Sequence, residues 1–252
     1  MKPSLEEGRY FLKDSVRKIT DFSRTPQSLG YPPPPVQKPV PAEARRLSLP
    51  GPGAFPGLGE MPVGEAVCRR RSRRKYADTS LTRDELAFLL WSVQGVRRFL
   101  NPSAVLRTVP SAGCRHPLET YLFVFAVEGI PEGVYRYLPL DHELVFEFAA
   151  AGLRERLVRA VLGQGFAGRA AAVFAWSAVP ARTEWRYGLA SHKVIALDAG
   201  HACQNLYLAA ESIGVGTCAV AAYDQDGMDR LLRLDGREEF TVYLAPVGKT
   251  GD

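Results

Sequence analysis

Residues 69–75 read Arg-Arg-Arg-Ser-Arg-Arg-Lys, six cations in seven positions, followed by Tyr76. Fixed charge packed this densely repels itself, so an anion is the missing partner. Arginine suits that task, because its planar fork matches phosphate and ring oxygens and it does not lose its proton. Taken alone, such a run also reads as a solvated helix face or a nucleic-acid patch. Two later segments weigh against those readings. Residues 107–121 contain Pro110, Ser111, Ala112 and Gly113, whose small bulk lets backbone approach a flat ring closely. Residues 200–224 carry Ala219, Val220, Ala221 and Ala222 at the end of a strand, where little side-chain bulk covers the backbone.

Other patterns carry less. Gly163-x-Gly165-x-x-Gly168 matches a dinucleotide fingerprint, but it follows a helix and opens a strand, the reverse of the required context. It is expected to be a helix stop and turn. Asp198 and His201 stand at i and i+3 on a helix face, with no third metal ligand to name, and His201 is read as hydrogen-bonded structure. Asp224, Asp226 and Asp229 lack the glycine and terminal glutamate of a calcium loop and are read as a helix start. Cys68, Cys114, Cys203 and Cys218 have no zinc spacing and are read as reduced, mostly buried thiols. No metal is expected.

The elements that must position these residues follow from periodicity. Residues 63–75 read as a helix, which would put Arg70 and Arg74 at i and i+4 on one face. Thr82 and Glu85 form a capping box for a second helix that stops at Gly95. Residues 120–127 and the almost wholly apolar 170–179 are strands, the latter central. Residues 133–137 and 143–148 make a hairpin. Helices are expected at 152–162 and 226–232. The longest runs over 192–213, with apolar positions Ile195, Ala199, Ala202, Leu206, Ala209 and Ile213 in steps of four and three. Strands at 215–221 and 240–247 complete an α+β domain, with no steady βαβ alternation. Residues 1–60 read as a proline-rich arm and 61–252 as the domain. Twelve of the 19 prolines precede Val63, and such a segment favours extended polyproline structure. The arm's start, Arg9-Tyr10-Phe11-Leu12, has enough apolar surface to dock on another surface, such as a second subunit.

The three segments together fit a site for a phosphorylated flavin, and they resemble the nitroreductase family of FMN-dependent oxidoreductases. Within it they are most similar to the SagB-type dehydrogenases, which oxidise azoline rings. The matching residues are Arg70 to Tyr76, Arg107 to Gly113, His116 to Tyr121, Gly129 to Tyr137, Asp198 to His201, Gln204 to Leu206, and Gly214 to Thr217. The similarity covers about residues 63–249. It implies a nitroreductase-like α+β fold, a mixed central sheet flanked by helices, and a homodimer whose loop at 110–113 reaches the partner's flavin. It places Arg70 and Ser72 at the phosphoribityl end of FMN, with Arg71 as a further phosphate candidate, and Arg74 at the pyrimidine edge. Backbone at Ala219, Val220, Ala221 and Ala222 would meet the N5–O4 edge, and Lys249 is a candidate phosphate ligand.

One departure concerns the Lys-Tyr pair of the ring-oxidising members. Here the position reads Arg186-Tyr187. Lysine can give up a proton when buried and arginine practically cannot. Arg186 and Tyr187 are the candidate catalytic residues, with Tyr187 as proton donor or acceptor. The expected activity is hydride transfer, with NAD(P)H as reductant and a small organic acceptor. Oxidation of a modified peptide and a non-catalytic flavin-binding role are the alternatives. Net charge is +5, but its concentration in one run favours a local anion site over nucleic acid. No stretch approaches the roughly 20 apolar residues of a membrane span. No apolar signal region follows Met1, so a cytoplasmic location is expected.

Overall fold

The computed structural model describes residues 4–251. In chain order the elements are α1 (Leu5–Leu12), β1 (Arg46–Ser48), α2 (Val63–Arg69), α3 (Arg83–Gln94), β2 (Val96–Asn101), β3 (Ala104–Arg107), β4 (Leu118–Val124), β5 (Gly133–Leu138), β6 (Glu143–Phe148) and α4 (Leu153–Ala160). They continue with β7 (Ala172–Ala178), α5 (Ala181–Tyr187), α6 (Ser191–Ser212), β8 (Val215–Thr217), α7 (Gln225–Leu232) and β9 (Phe240–Lys249). Seven strands form one sheet in the order β1-β6-β5-β4-β7-β9-β8, and β2 with β3 forms a separate hairpin. The ladders are antiparallel. Parallel pairing enters through bridges Ser72↔Thr217 and Leu81↔Val127.

β7 is apolar except for Ser177, whose Oγ donates to Glu239 Oε1 at 2.7 Å, because both of its faces are covered. Ala172, Phe174, Trp176 and Ala178 join one core cluster with α3 and α6, while Val173 and Ala175 join the cluster under α4 and α7. The expected capping box of α3 is present, with Thr82 Oγ1 accepting from Glu85 N and Glu85 Oε2 accepting from Thr82 N. On α6, the spaced positions Ile195, Ala199, Ala202, Leu206 and Ala209 are all buried. The glycine-rich 163–168 stretch is a turn: α4 stops at Ala160, and Leu162 and Gly163 take positive φ (56° and 80°). Strand β1, the hairpin β2–β3 and the helices α1 and α5 are additions to the expected element list. Each is short, and its apolar residues are too few to set a period.

The proline-rich segment lies against the sheet, bound chiefly through its carbonyls. Proline has no N–H to give a ladder, but its carbonyl and those of its neighbours still need donors. Three buried guanidinium groups supply them. Arg182 Nε donates to Pro35 O (2.8 Å), Arg107 Nη2 to Val36 O (2.7 Å), and Arg136 Nη1 and Nη2 to Lys38 O and Pro39 O (both 3.1 Å). Glu119 balances this charge from between Arg136 and Arg182, and Gln94 Oε1 accepts from Arg107 at 2.7 Å. Further along, His142 Nε2 meets Pro50 O at 2.7 Å, and β1 pairs with β6. The arm is therefore continuous with the domain in its packing. At its far end, Tyr10, Phe11 and Leu12 of α1 remain exposed.

Candidate functional site

The basic run is not helical beyond Arg69. Arg70 caps α2 with φ −55° and ψ 135°, and the chain then runs extended beside β8. Arg73 N donates to Thr217 O at 2.9 Å. The expectation that Arg70 and Arg74 share a helix face is therefore wrong. Six close cations oppose a compact helix, and β8 offers the backbone hydrogen bonds that a helix would have supplied. The extended form suits the site, because alternate residues of a strand share a side. Arg70 lies 5.5 Å over the Tyr207 ring, and Ser72 Oγ is 2.9 Å from Tyr207 Oη.

Acid partners divide the run. Arg69 pairs with Glu65 (2.8 Å), and Arg73 bonds both oxygens of buried Glu211 (3.0 and 3.2 Å). Arg70, Arg71, Arg74 and Lys75 have no carboxylate partner among the described residues. Three of these four are the arginines assigned to a cofactor from sequence. Arg74 sits 5.8 Å over Phe166.

Tyr207 ties this run to the third segment. Its Oη accepts from Ala219 N at 2.8 Å. At the other end of that segment, Gln164 Nε2 donates to Ala222 O at 2.8 Å, close in sequence to Phe166. The first and third segments are thus side by side. Val220 pairs with Leu244, which leaves Ala221 at the wall of an apolar groove. The groove has a volume of about 460 Å³ and is lined by Phe11, Ile195, Ala199, Ala221, Phe240 and Tyr243, among others. That volume lies within the usual range for organic ligands, about 300–1,000 Å³.

The second segment is brought to Arg186 and Tyr187 instead. Ser111 Oγ donates to Asp198 Oδ2 (2.6 Å) and accepts from His116 N (2.9 Å). Burial raises the Asp198 pKa, opposed by its bonds to Ser111 and the Ala112 amide. His201 does not form the hydrogen bond expected of it; it is half-exposed, with Nδ1 4.0 Å from Asp198. Gly113 has φ 58°, and a Cβ there would lie 2.7 Å from Arg186 Cδ and 2.8 Å from Tyr187 Oη. His116 is buried, and burial with the nearby Arg107 lowers its pKa to about 3. The neutral ring donates from Nε2 to Val105 O at 3.0 Å.

Within one chain the two groups stay apart. Asp198 and Tyr207 are nine residues along α6, about 13 Å at ~1.5 Å per residue. Lys249 ends β9 opposite Val215 of β8, and its ammonium pairs with Glu85. Of the four cysteines, Cys203 and Cys218 are buried, Cys114 is half-buried and Cys68 is exposed. The sequence reading missed Tyr207 as the link between segments and Asp198 as the anchor of Ser111. Both fall on the buried stripe of α6, and a polar group on such a stripe needs a partner, which was the available signal.

A sequence profile of the nitroreductase family matches residues 67–249. This chain belongs to the nitroreductase family. Protein MJ1384 of Methanocaldococcus jannaschii, assigned to the nitroreductases, is 34% identical over 195 residues, 77% of this chain and 94% of that one. The trifolitoxin-processing protein TfxB of Rhizobium leguminosarum is 30% identical over 133 residues, 51% of this chain but only 36% of its own length. Among solved structures, a nitroreductase-family protein of Anabaena variabilis superposes with TM-score 0.69 at 26% identity, over 83% of this chain and 42% of that one. A chain of the Escherichia coli microcin synthetase McbBCD complex matches in fold with TM-score 0.61 at 19% identity, covering 100% of this chain. The nitroreductase family supports an oxidoreductase whose members generally bind FMN and use NAD(P)H. No helix among the described residues is long and apolar enough to cross a membrane.

In this nitroreductase-family chain, Tyr207→Phe removes the partner of both Ser72 and the Ala219 amide. An expected loss of about 1–3 kcal/mol follows from leaving such groups unpaired, measured as a fall in the urea unfolding midpoint. Gly113→Ala combines a positive φ with contact against Arg186 and Tyr187. It is expected to cost about 1–2 kcal/mol, read as a lower melting temperature, and an unchanged midpoint would show that the loop can yield there.

Proposed function

We propose that the protein is an FMN-dependent oxidoreductase that works as a homodimer, reduced by NAD(P)H and passing hydride to a small organic acceptor. The observation that carries this reading is the set of guanidinium groups without acid partners, Arg70, Arg71 and Arg74, alongside the 219–222 backbone and the apolar groove at Ala221. That donor set fits a dianion at one end and a flat apolar ring at the other. When bound, FMN supplies two-electron chemistry at N5.

The chain's residues then have separate tasks. Arg70, Arg71 and Ser72 hold the phosphoribityl end, and Arg74 the pyrimidine edge, where fixed positive charge favours the reduced ring. Of the 219–222 backbone, the Ala221 and Ala222 amides are left to fix the N5 edge, since those of Ala219 and Val220 are bonded within the chain, with Lys249 a further phosphate ligand if it is released from Glu85. The 110–113 loop serves the partner's site, which accounts for its separation from the basic run within one chain. Tyr187 holds or delivers a proton to the acceptor, and Arg186 stays charged throughout. Alignment of two substrates over one surface is a large part of the acceleration. The test is the visible absorption of protein incubated with FMN and freed of excess. A flavin spectrum, bleached by NADH or NADPH, is expected; a colourless protein sinks the reading.

A second reading is favoured by the similarity to TfxB, a toxin-processing protein. On this reading the substrate is an azoline in a modified peptide. Loss of two hydrogens from an azoline peptide, followed by mass spectrometry on flavin-loaded protein, would select it. Arg186 weighs against it, because an arginine cannot serve as the base. Flavin that binds but is bleached by neither nicotinamide would instead indicate a non-catalytic role.

A further inference from the structure

The loop that carries Gly113 is strained. Gly113, Cys114 and His116 all have positive φ (58°, 54° and 45°), and two of them are not glycine. Each such residue costs on the order of 1–3 kcal/mol and persists only where its surroundings over-determine it. Here the surroundings do so: Ser111 is tied to Asp198, His116 to Val105, and Arg115 Nε to Gly113 O at 3.1 Å. The result is a fixed point at Gly113 where Arg186 Nε and Tyr187 Oη converge, within 2.9 and 2.8 Å of the missing Cβ.

Charge at this point is unbalanced. Arg115 lies 5.0 Å over the Trp185 ring and bonds only to carbonyls, those of Gly113 and Ser103. Arg186 is exposed and lies 5.7 Å over Tyr187. Neither has a carboxylate within ion-pair distance among the described residues. The nearby acids are already engaged, Glu184 with His192 at 2.9 Å and Asp198 with Ser111. Burial and the charge of Arg186 both lower the Arg115 pKa, which agrees with two cations facing each other without a counterion.

We propose that Arg186 and Tyr187, fixed by Gly113 and backed by Arg115, seat a carboxylate, so that the electron acceptor of this site is a carboxylate-bearing molecule. This rests on the oxidoreductase reading for the word acceptor, but the seat itself does not. A guanidinium fork beside a phenolic hydroxyl presents donors to two oxygens of one planar group. The exposure of Arg186 leaves the seat open to a small molecule. On this account the arginine at this position selects an anion rather than moving a proton.

The test uses FMN-loaded protein and two probes that cannot be reduced, benzoate and benzamide, titrated by calorimetry. Benzoate is expected to bind about tenfold or more tightly, the scale of a charge-assisted bond. Arg186→Gln is expected to bring the ratio close to one, and Arg186→Lys to restore part of it. In turnover, the kcat/KM ratio of 4-nitrobenzoate to 4-nitrobenzamide should fall likewise in Arg186→Gln, through KM for the acid. Equal binding of the two probes by wild type, or a ratio unmoved in Arg186→Gln, overturns the seat. A rise confined to KM for NADH or NADPH overturns its assignment to the acceptor. Protein that takes up no FMN would sink the oxidoreductase reading instead, and the benzoate titration would then decide the seat alone.

Discussion

Arg70→Ala is expected to weaken FMN binding by about ten- to a hundredfold, the range of one lost charge-assisted phosphate contact. Arg70 is held over Tyr207 with no acid to neutralise it, so its removal leaves no carboxylate stranded and should not unfold the protein. Arg69→Ala is the internal control. Arg69 pairs with exposed Glu65 on α2 and lies 3.8 Å from buried Glu211, which keeps Arg73 as its closer partner, and an exposed pair such as Arg69–Glu65 contributes little. Quenching of FMN fluorescence on titration with protein reads both affinities. If Arg70→Ala binds as wild type does, the phosphate lies elsewhere. If Arg69→Ala is the weaker binder, the division of the run by acid partners is wrong.

Glu119→Ala is expected to cost about 3–5 kcal/mol, because it strands buried guanidinium charge. Glu119 is 2% exposed and stands between Arg136 and Arg182, whose other donors hold the arm carbonyls. The urea midpoint measures the loss, and protease sensitivity between residues 30 and 45 shows whether the arm detaches. Acid should act on the same residue. Burial by itself would raise the Glu119 pKa, but Arg182 and Arg136 outweigh it and the net shift is downward. A carboxyl lowered by the fold stabilises it above its unfolded pKa, about 4.3. That stabilisation is lost as pH falls through the folded value. Wild type should therefore lose stability across this acid window more steeply than Glu119→Ala, and parallel curves would show that Glu119 does not contribute.

The family was more legible than the local geometry. The resemblance of the motifs at 70–76, 107–121, 129–137, 198–206 and 214–217 was enough to identify the family, and the family profile spans all of them. The conformation of 70–76 was not legible. A helical period and a β-edge both group position 70 with 74, and only the long-range bridge from Ser72 to Thr217 decides between them. The buried periods of α6 and β7 were readable because each element is long or wholly apolar. The fate of the prolines was not, since the donors to their carbonyls come from arginines up to 147 positions away. Arg107, Arg136 and Arg182 look in sequence like ordinary surface cations. Their burial depends on a segment that has carbonyls but few amides to offer.

The way the arm is fastened bears on the order of assembly. Residues 31–40 leave the ribosome before their donors, and Pro35 cannot meet Arg182 until 147 further residues have been added. At ~5–20 residues per second, the segment waits on the order of ten seconds without its donors. Polyproline needs no internal hydrogen bonds and stays solvated meanwhile, so a chain that must idle before it is latched is well served by the one backbone form that loses nothing by idling.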